Sequence, residues 1–207
     1  MQLARTTVAG LSVAALAVGT AITGCGGNKT SAPSSSVTSS SAASSSTAST
    51  TVTGPSPGQT TDYSGLLIKP IDIGGDLTTP QPPVLNPNNA PGVAQLFANA
   101  DNSRRIGDTI LIVADPQTAA AGIDNTKANY AGKVSGTWRP VDVGSNGAMI
   151  SGTSPDNSQA VTVLLFSEGK ALVNLEFDSA PNDPIDPGMA TDIGRKQDAA
   201  IKSGLPS

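Results

Sequence analysis

The residue types that most enzymes use for nucleophilic and metal chemistry are scarce in this chain. Its 207 residues include no histidine and a single cysteine, Cys25. Ser-His-Asp and Cys-His nucleophilic sites are therefore excluded, as are zinc and copper sites built on these side chains. The sequence also has no phosphate-binding glycine loop and no G-x-S-x-G motif. Carboxylates are what remain for chemistry, and we predict no catalytic residue, no metal and no cofactor.

Cys25 has the clearest chemical role. It ends the segment Ile22-Thr23-Gly24-Cys25, which resembles the lipobox of bacterial lipoproteins. Its thiolate would attack a diacylglyceryl donor, and the small neighbouring residues would let a peptidase cut between Gly24 and Cys25. The apolar stretch before it, Val8 to Ile22, rises only about 22 Å as a helix, less than the roughly 30 Å of a bilayer core. We therefore predict a signal peptide over residues 1–24 and a lipid anchor on Cys25; the alternative is a free cysteine after an ordinary signal peptide.

A second segment, residues 25–62, is rich in Ser, Thr, Ala and Gly. It offers too little apolar surface to offset the entropy of ordering it, so we predict a disordered tether. Its hydroxyl groups could carry O-linked sugars, although a plain spacer is the simpler interpretation. The net charge of −4 disfavours binding to nucleic acid.

Residues 63–207 have the patterns of a folded α+β domain. Apolar runs and alternation predict an antiparallel sheet of about five to six strands, with Val173, Leu175 and Phe177 facing the core. Asp-Pro pairs at 115–116 and 186–187 predict two capped helices, most simply packed on one face of the sheet. An all-β sandwich is the alternative. The predicted strands are Val93–Asn99, Arg105–Val113, Trp138–Val143, Ala148–Thr153, Ala160–Ser167 and Ala171–Asp178.

The segments before these strands are predicted to be less regular. Tyr63–Ile73 carries an apolar cluster that fits a short helical turn or an edge strand. Residues 74–92 are rich in Pro and Asn and are predicted to lack regular structure.

A few side chains of the domain are candidates for ligand binding. Arg104 and Arg105 could recognise a carboxylate or phosphate, although paired arginines at a hairpin end are often only solvated. Trp138 could line a ligand pocket, although a lone tryptophan is more often a core or rim residue. Asp178, Asp183 and Asp186 could ligate calcium, but their spacing is not that of a dedicated calcium loop, and Asp186 is better explained as a helix cap.

The signal, tether and domain together resemble the cell-envelope lipoproteins of mycobacteria and related actinobacteria. Ile106–Ile112, Ser151–Asp156 and Leu175–Pro181 are similar to a small domain of unknown function in such proteins. The order of elements is also similar to that of the sensor domains of some mycobacterial serine/threonine kinases, but this chain lacks their paired cysteines. The resemblance implies a location on the extracytoplasmic face of the membrane and assigns no functional residue.

These features predict a lipid-anchored, non-catalytic binding module of the cell envelope. Its partners would be the membrane, through the anchor, and an apolar ligand, a glycan or another envelope protein. Two alternatives stay open. One is a hydrolase that uses a pair of carboxylates without histidine. The other is a structural or antigenic surface protein.

Overall fold

The computed structural model describes residues 61–205. The predicted signal peptide, Cys25 and nearly all of the predicted tether lie outside the described residues. The described part contains one antiparallel sheet of seven strands and three α-helices, which confirms the predicted α+β class. Its strands are β1 (Val84–Leu85), β2 (Gly92–Ala98), β3 (Arg105–Ile112), β4 (Arg139–Pro140), β5 (Ser145–Thr153), β6 (Ala160–Glu168) and β7 (Ala171–Ser179). Its helices are α1 (Pro70–Ile73), α2 (Pro116–Asn129) and α3 (Pro187–Gly204).

The sheet joins two antiparallel meanders. Its strand order is β1-β2-β3-β7-β6-β5-β4, so β3 and β7 meet in the middle. Tight turns set the registers: β6 and β7 are joined by Gly169 and Lys170 alone, with Gly169 at a φ of 52°. Such a two-residue turn matches the twist of the two strands. The chain leaves β3, passes through α2 and returns at the far edge as β4.

Strand boundaries differ from the predictions at both edges of the sheet. β1 is a two-residue strand within the segment that was predicted to lack regular structure. The strand predicted at Trp138–Val143 is only Arg139–Pro140 in the structure, because Pro140 has no N–H to donate to a longer ladder of hydrogen bonds. β5 begins at Ser145, three residues before the predicted start, through an irregularity in its pairing with β6. The cluster at Tyr63–Ile73 is helical, with a 3-10 turn followed by α1.

The two long helices lie on opposite faces of the sheet, so the prediction that both share one face was wrong. α3 packs with the core that contains Leu175 and Phe177, whereas α2 packs with the core that contains Leu165 and Leu172. The connection through α2 crosses one face on its way to β4, and the chain after β7 turns onto the other face. Because both faces are covered over β6, its residues from Ala160 to Ser167 are all buried.

Both helix caps form as predicted. Asp115 accepts a hydrogen bond from the backbone N–H of Thr118 at 2.7 Å. Asp186 accepts from the N–H groups of Gly188 and Met189 at 2.9 and 3.1 Å. These bonds satisfy amide groups that have no partner within the first turn of a helix.

Residues 61–83 form a strap that shares the α3 face of the sheet. At one end the buried side chain of Gln197 in α3 accepts from the N–H of Ile68 at 3.0 Å and donates to the C=O of Leu66 at 2.7 Å. At the other end Thr78 pairs with Ala98 at the edge of β2. The strap therefore crosses between α3 and the β2 edge, and its buried apolar residues join the main core. These residues are Leu66, Ile68, Ile73 and Leu77.

Candidate functional site

The face of the sheet that carries α2 is covered over only part of its width. α2 packs mainly on β6 and β7. On this face Ala98 and Leu111 are buried, whereas the residues in the middle of β2 and β3 are half-buried. The register places them in cross-strand rows with side chains of β7. We call this surface the open face. It consists of Ala94, Leu96, Arg105, Gly107, Thr109, Asn174, Glu176 and Asp178.

A shallow depression lies at the centre of the open face. Gly107 stands between Leu96 of β2 and Glu176 of β7 in one cross-strand row. A methyl group built on Gly107 would meet no atom within 4 Å. Neighbouring strands lie about 4.8 Å apart, so the missing side chain leaves space between Leu96 and Glu176. This space has an apolar wall on one side and a carboxylate on the other.

Tyr130, at the end of α2, anchors the polar side of this depression. Its hydroxyl donates to Glu176 Oε2 at 2.5 Å and accepts from Asn174 Nδ2 at 2.8 Å. Burial raises the pKa of Tyr130 above its ordinary value, and the charge of Glu176 raises it further, so the hydroxyl keeps its proton. The three side chains therefore hold one another in a fixed arrangement beside the open space.

A second carboxylate lies next to Glu176. Asp178 is two residues further along β7 and forms an ion pair with Arg105 at 3.0 Å. Burial raises the pKa of both carboxyl groups, while Tyr130 opposes this for Glu176 and Arg105 opposes it for Asp178. The two carboxyl groups thus lie side by side on the open face, each held by one partner that leaves further oxygen lone pairs for a ligand.

Trp138 lies on the same side of the sheet, beyond Tyr130. The two rings pack edge to face, with centroids 6.2 Å apart. Trp138 is half-buried and lines a cleft of about 300 Å³ between α2 and the β4–β5 edge, together with Ile123, Lys127 and Arg139. The structure thus places this candidate residue at a cleft wall, and ligand binding there stays a prediction.

The two candidate arginines have different surroundings. Arg105 belongs to the open face, where only about a quarter of its side chain is exposed (26%) and Asp178 fixes its position. Arg104 instead pairs with Asp183 at 2.6 Å, and 65% of the Asp183 side chain is exposed. An exposed pair of this kind contributes little to stability and leaves Arg104 outside the open face.

The acidic loop considered for calcium has other structural roles. Asp178 and Asp183 face the two arginines, and Asp186 caps α3. Within residues 61–205, no three acidic, histidine or cysteine side chains converge in a way that could hold a metal ion. Over the same residues, no helix has the length and apolar content that crossing a membrane requires.

Sequence reasoning identified part of this site and missed the rest. It named Arg105 and Trp138, which the structure brings to one side of the sheet. Tyr130, Asn174 and Glu176 were not among the predicted candidates. The alternation Asn174, Glu176, Asp178 was the available signal, since it places three polar groups in a row on one face of a strand.

Comparison with known proteins gives no relative to reason from. A scan against protein-family models and searches of curated proteins and of solved structures found no match to this chain. The fold and site define the class: an α+β domain with a two-sided core and one partly uncovered sheet face. Its function has to be inferred from the side chains of that face.

Proposed function

We propose that this protein is a lipid-anchored lipoprotein of the cell envelope whose folded domain binds a ligand on the open face without transforming it. The anchor would be Cys25, and the ligand an apolar molecule, a glycan or the surface of another envelope protein. The observation that carries the binding proposal is the depression over Gly107, with Leu96 on one side and the Tyr130–Glu176 pair on the other.

Three properties of this surface support a binding role. Its polar groups are already held by hydrogen bonds and an ion pair, so a ligand need not order them. It combines apolar area with carboxylate, amide and guanidinium groups, the mixture expected of a recognition site. It also lies beside Trp138, a half-buried aromatic side chain that packs edge to face on the buried ring of Tyr130 and could contact a ligand with its exposed part.

The binding proposal can be tested by filling the depression. A thermal-shift screen of the full chain against envelope lipids, glycans and secreted envelope proteins would first identify compounds or proteins that raise its melting temperature. Gly107→Leu should then weaken binding of each hit by about tenfold or more, because the leucine side chain occupies the depression. The matched control is Gly65→Leu on the strap, where an added Cβ also meets no atom within 4 Å.

The outcomes of this experiment are distinct. Weaker binding by Gly107→Leu, with the Gly65→Leu chain unchanged, would support the open face as the binding surface. Equal binding by both variants would contradict it and would point to another surface, such as the Trp138 cleft. A screen without any hit would count against a binding module and favour a structural or antigenic surface protein.

The lipid anchor needs a separate test. Metabolic labelling with a clickable fatty acid should mark the full chain, and Cys25→Ala should abolish the label because no other cysteine is present. Equal labelling of the Cys25→Ala chain would contradict the anchor. The two tests are independent, since a domain without an anchor could still bind its ligand.

A carboxylate-based hydrolase is the second candidate. Glu176 and Asp178 point to the same face, and the Cα atoms of residues two apart on a strand are about 6.6 Å apart, so their carboxyl groups can reach the separation of paired catalytic carboxylates. The raised pKa of both groups suits an acid or a base. Turnover of chromogenic glycosides that Glu176→Gln and Asp178→Asn each abolish, while Asp142→Asn retains it, would support hydrolysis; no turnover by the unchanged chain would contradict it.

A further inference from the structure

A carboxyl group without any partner lies under the strap. Asp108, at the middle of β3, is fully buried, and neither of its side-chain oxygens forms a hydrogen bond with any described residue. Its neighbours in the sheet are Gln95 of β2 and Leu175 of β7, which share its face. Burying a carboxylate without a partner is strongly unfavourable, so the group is expected to stay protonated while it is enclosed.

The strap encloses this part of the sheet. α3 packs on β6 and β7, while the strap runs from α3 to the edge of β2. The side chain of Gln95, the cross-strand neighbour of Asp108, donates to the backbone C=O of Gln81 in the strap at 2.9 Å. Asp108 therefore lies beneath a layer that consists of short helical turns and irregular chain.

Few polar contacts hold the strap in place. They are the two bonds to Gln197, the pairing of Thr78 with Ala98, the bond to Gln95 and a bond from Lys196 to the C=O of Asp72. Segments with few backbone hydrogen bonds to the rest of a domain open at a lower free energy than the central strands. The strap is thus the part of this face whose opening would most readily admit water to Asp108.

We propose that Asp108 makes the docking of the strap depend on pH, so that the strap opens more often as the pH rises. With the strap docked, the carboxyl group stays neutral; with the strap open, water reaches it and it ionises. Opening releases residues 61–83, which adds up to about 75 Å of reach between the sheet and the preceding segment. This last consequence rests on the proposed anchor at Cys25 and the proposed binding surface: with both, the device couples the pH outside the cell to the distance at which the open face is presented.

The direction and the range of this effect follow from proton linkage. Burial alone raises the pKa of Asp108 to about 8 in the closed state, and an exposed aspartate has a pKa near 3.9. Between these values opening releases one proton, so the opening constant should rise about tenfold per pH unit. Below about pH 4 and above about pH 8 it should level off, because both states then carry the same number of protons.

The elements that cover this face also carry other charged groups. None of them shifts the pKa of Asp108, for which burial is the sole cause. They are Asp62, Lys69, Asp72 and Asp76 on the strap, Asp183 and Asp186 in the loop before α3, and Asp192, Arg195, Lys196, Asp198 and Lys202 on α3.

Hydrogen exchange of the full chain between pH 5 and 9, corrected for the intrinsic exchange rate, tests the proposal. The backbone amides of Ile68 and Thr78 report on the strap, since both are bonded in the docked state. Their protection should fall about tenfold per pH unit up to about pH 8 and then level off. Asp108→Asn should remove this dependence. Asp76→Asn, which replaces an exposed carboxylate of the strap itself, should retain it.

Two results would overturn the proposal. One is an unchanged pH dependence in the Asp108→Asn chain. The other is equal protection of the strap and of β6 at every pH, because it would mean that only global unfolding exposes Asp108. If Asp108→Asn does not fold, the carboxyl carbon of Asp108 can be titrated by NMR in the unchanged chain. Titration near pH 4 would then contradict the mechanism, and titration several units higher would support it.

Discussion

At the scale of single residues, two glycines on the sheet face that carries α2 differ in the space available for a side chain. A Cβ on Gly152 would lie 1.3 Å from the backbone oxygen of Ser135, whereas one on Gly107 would meet nothing within 4 Å. Gly152→Ala should therefore cost more than about 3 kcal/mol, because backbone must move to relieve the clash. Gly107→Ala should be neutral or stabilise by up to about 1 kcal/mol. Urea denaturation of both variants measures the difference, and a similar cost for both would contradict this packing.

Tyr130 gives a second prediction at this scale. Tyr130→Phe removes the proton donor to Glu176 and the acceptor for Asn174. The loss should be about 1–3 kcal/mol of unfolding free energy, since the partners remain partly buried. The pKa of Glu176, which the hydroxyl now lowers, should rise.

Denaturation and NMR titration of Glu176 check both effects. The control is Tyr63→Phe, whose hydroxyl forms no hydrogen bond within residues 61–205; an equal loss there would show that the Tyr130 network adds no stability.

At the scale of elements, the attachment of the strap depends on one side chain of α3. Gln197→Leu keeps the apolar volume but leaves the N–H of Ile68 and the C=O of Leu66 buried without partners. Each orphaned group costs about 1–3 kcal/mol, so the strap should loosen before the sheet unfolds. Limited proteolysis should then cut within residues 61–83. Lys196→Gln, which alters an exposed contact of the same strap, is the control, and equal resistance to cleavage in all chains would contradict the anchoring role.

Elements were more predictable from sequence than the contacts between them. Alternation in β7 correctly placed Val173, Leu175 and Phe177 in the main core, and the Asp-Pro pairs located both long helices because capping is a local interaction. The proximity of Arg105 to Asp178 was not predictable, since it depends on β3 lying beside β7 in the sheet. For the same reason the contact between Tyr130 and Glu176 was not predictable. It depends on where α2 crosses the sheet, and no local sequence pattern reveals that path.

At the scale of the whole molecule, a sheet with a core on each face exposes surface to a ligand only where the layers that cover it end. The α3 face is closed by combining a regular helix with the strap. The α2 face is closed over β6 and β7 and left partly uncovered over β2 and β3. The candidate binding surface and the pH-sensitive layer thus lie on opposite faces and share the central strand β3, which contributes Gly107 to one and Asp108 to the other.

The stability of the whole domain should accordingly depend on pH in a direction opposite to that of many proteins. A carboxyl group whose pKa is raised in the folded state contributes stability that is full below its unfolded pKa and lost as the pH rises to the folded value. For Asp108 this window runs from about pH 4 to about pH 8. The unfolding free energy should decline by roughly 1.4 kcal/mol per pH unit across it, and Glu176 and Asp178 act in the same direction.

Urea denaturation at pH 5, 6, 7 and 8 should show this decline in the unchanged chain and a much flatter profile in Asp108→Asn. A decline of the same slope in both chains would mean that Asp108 reaches water in the native state.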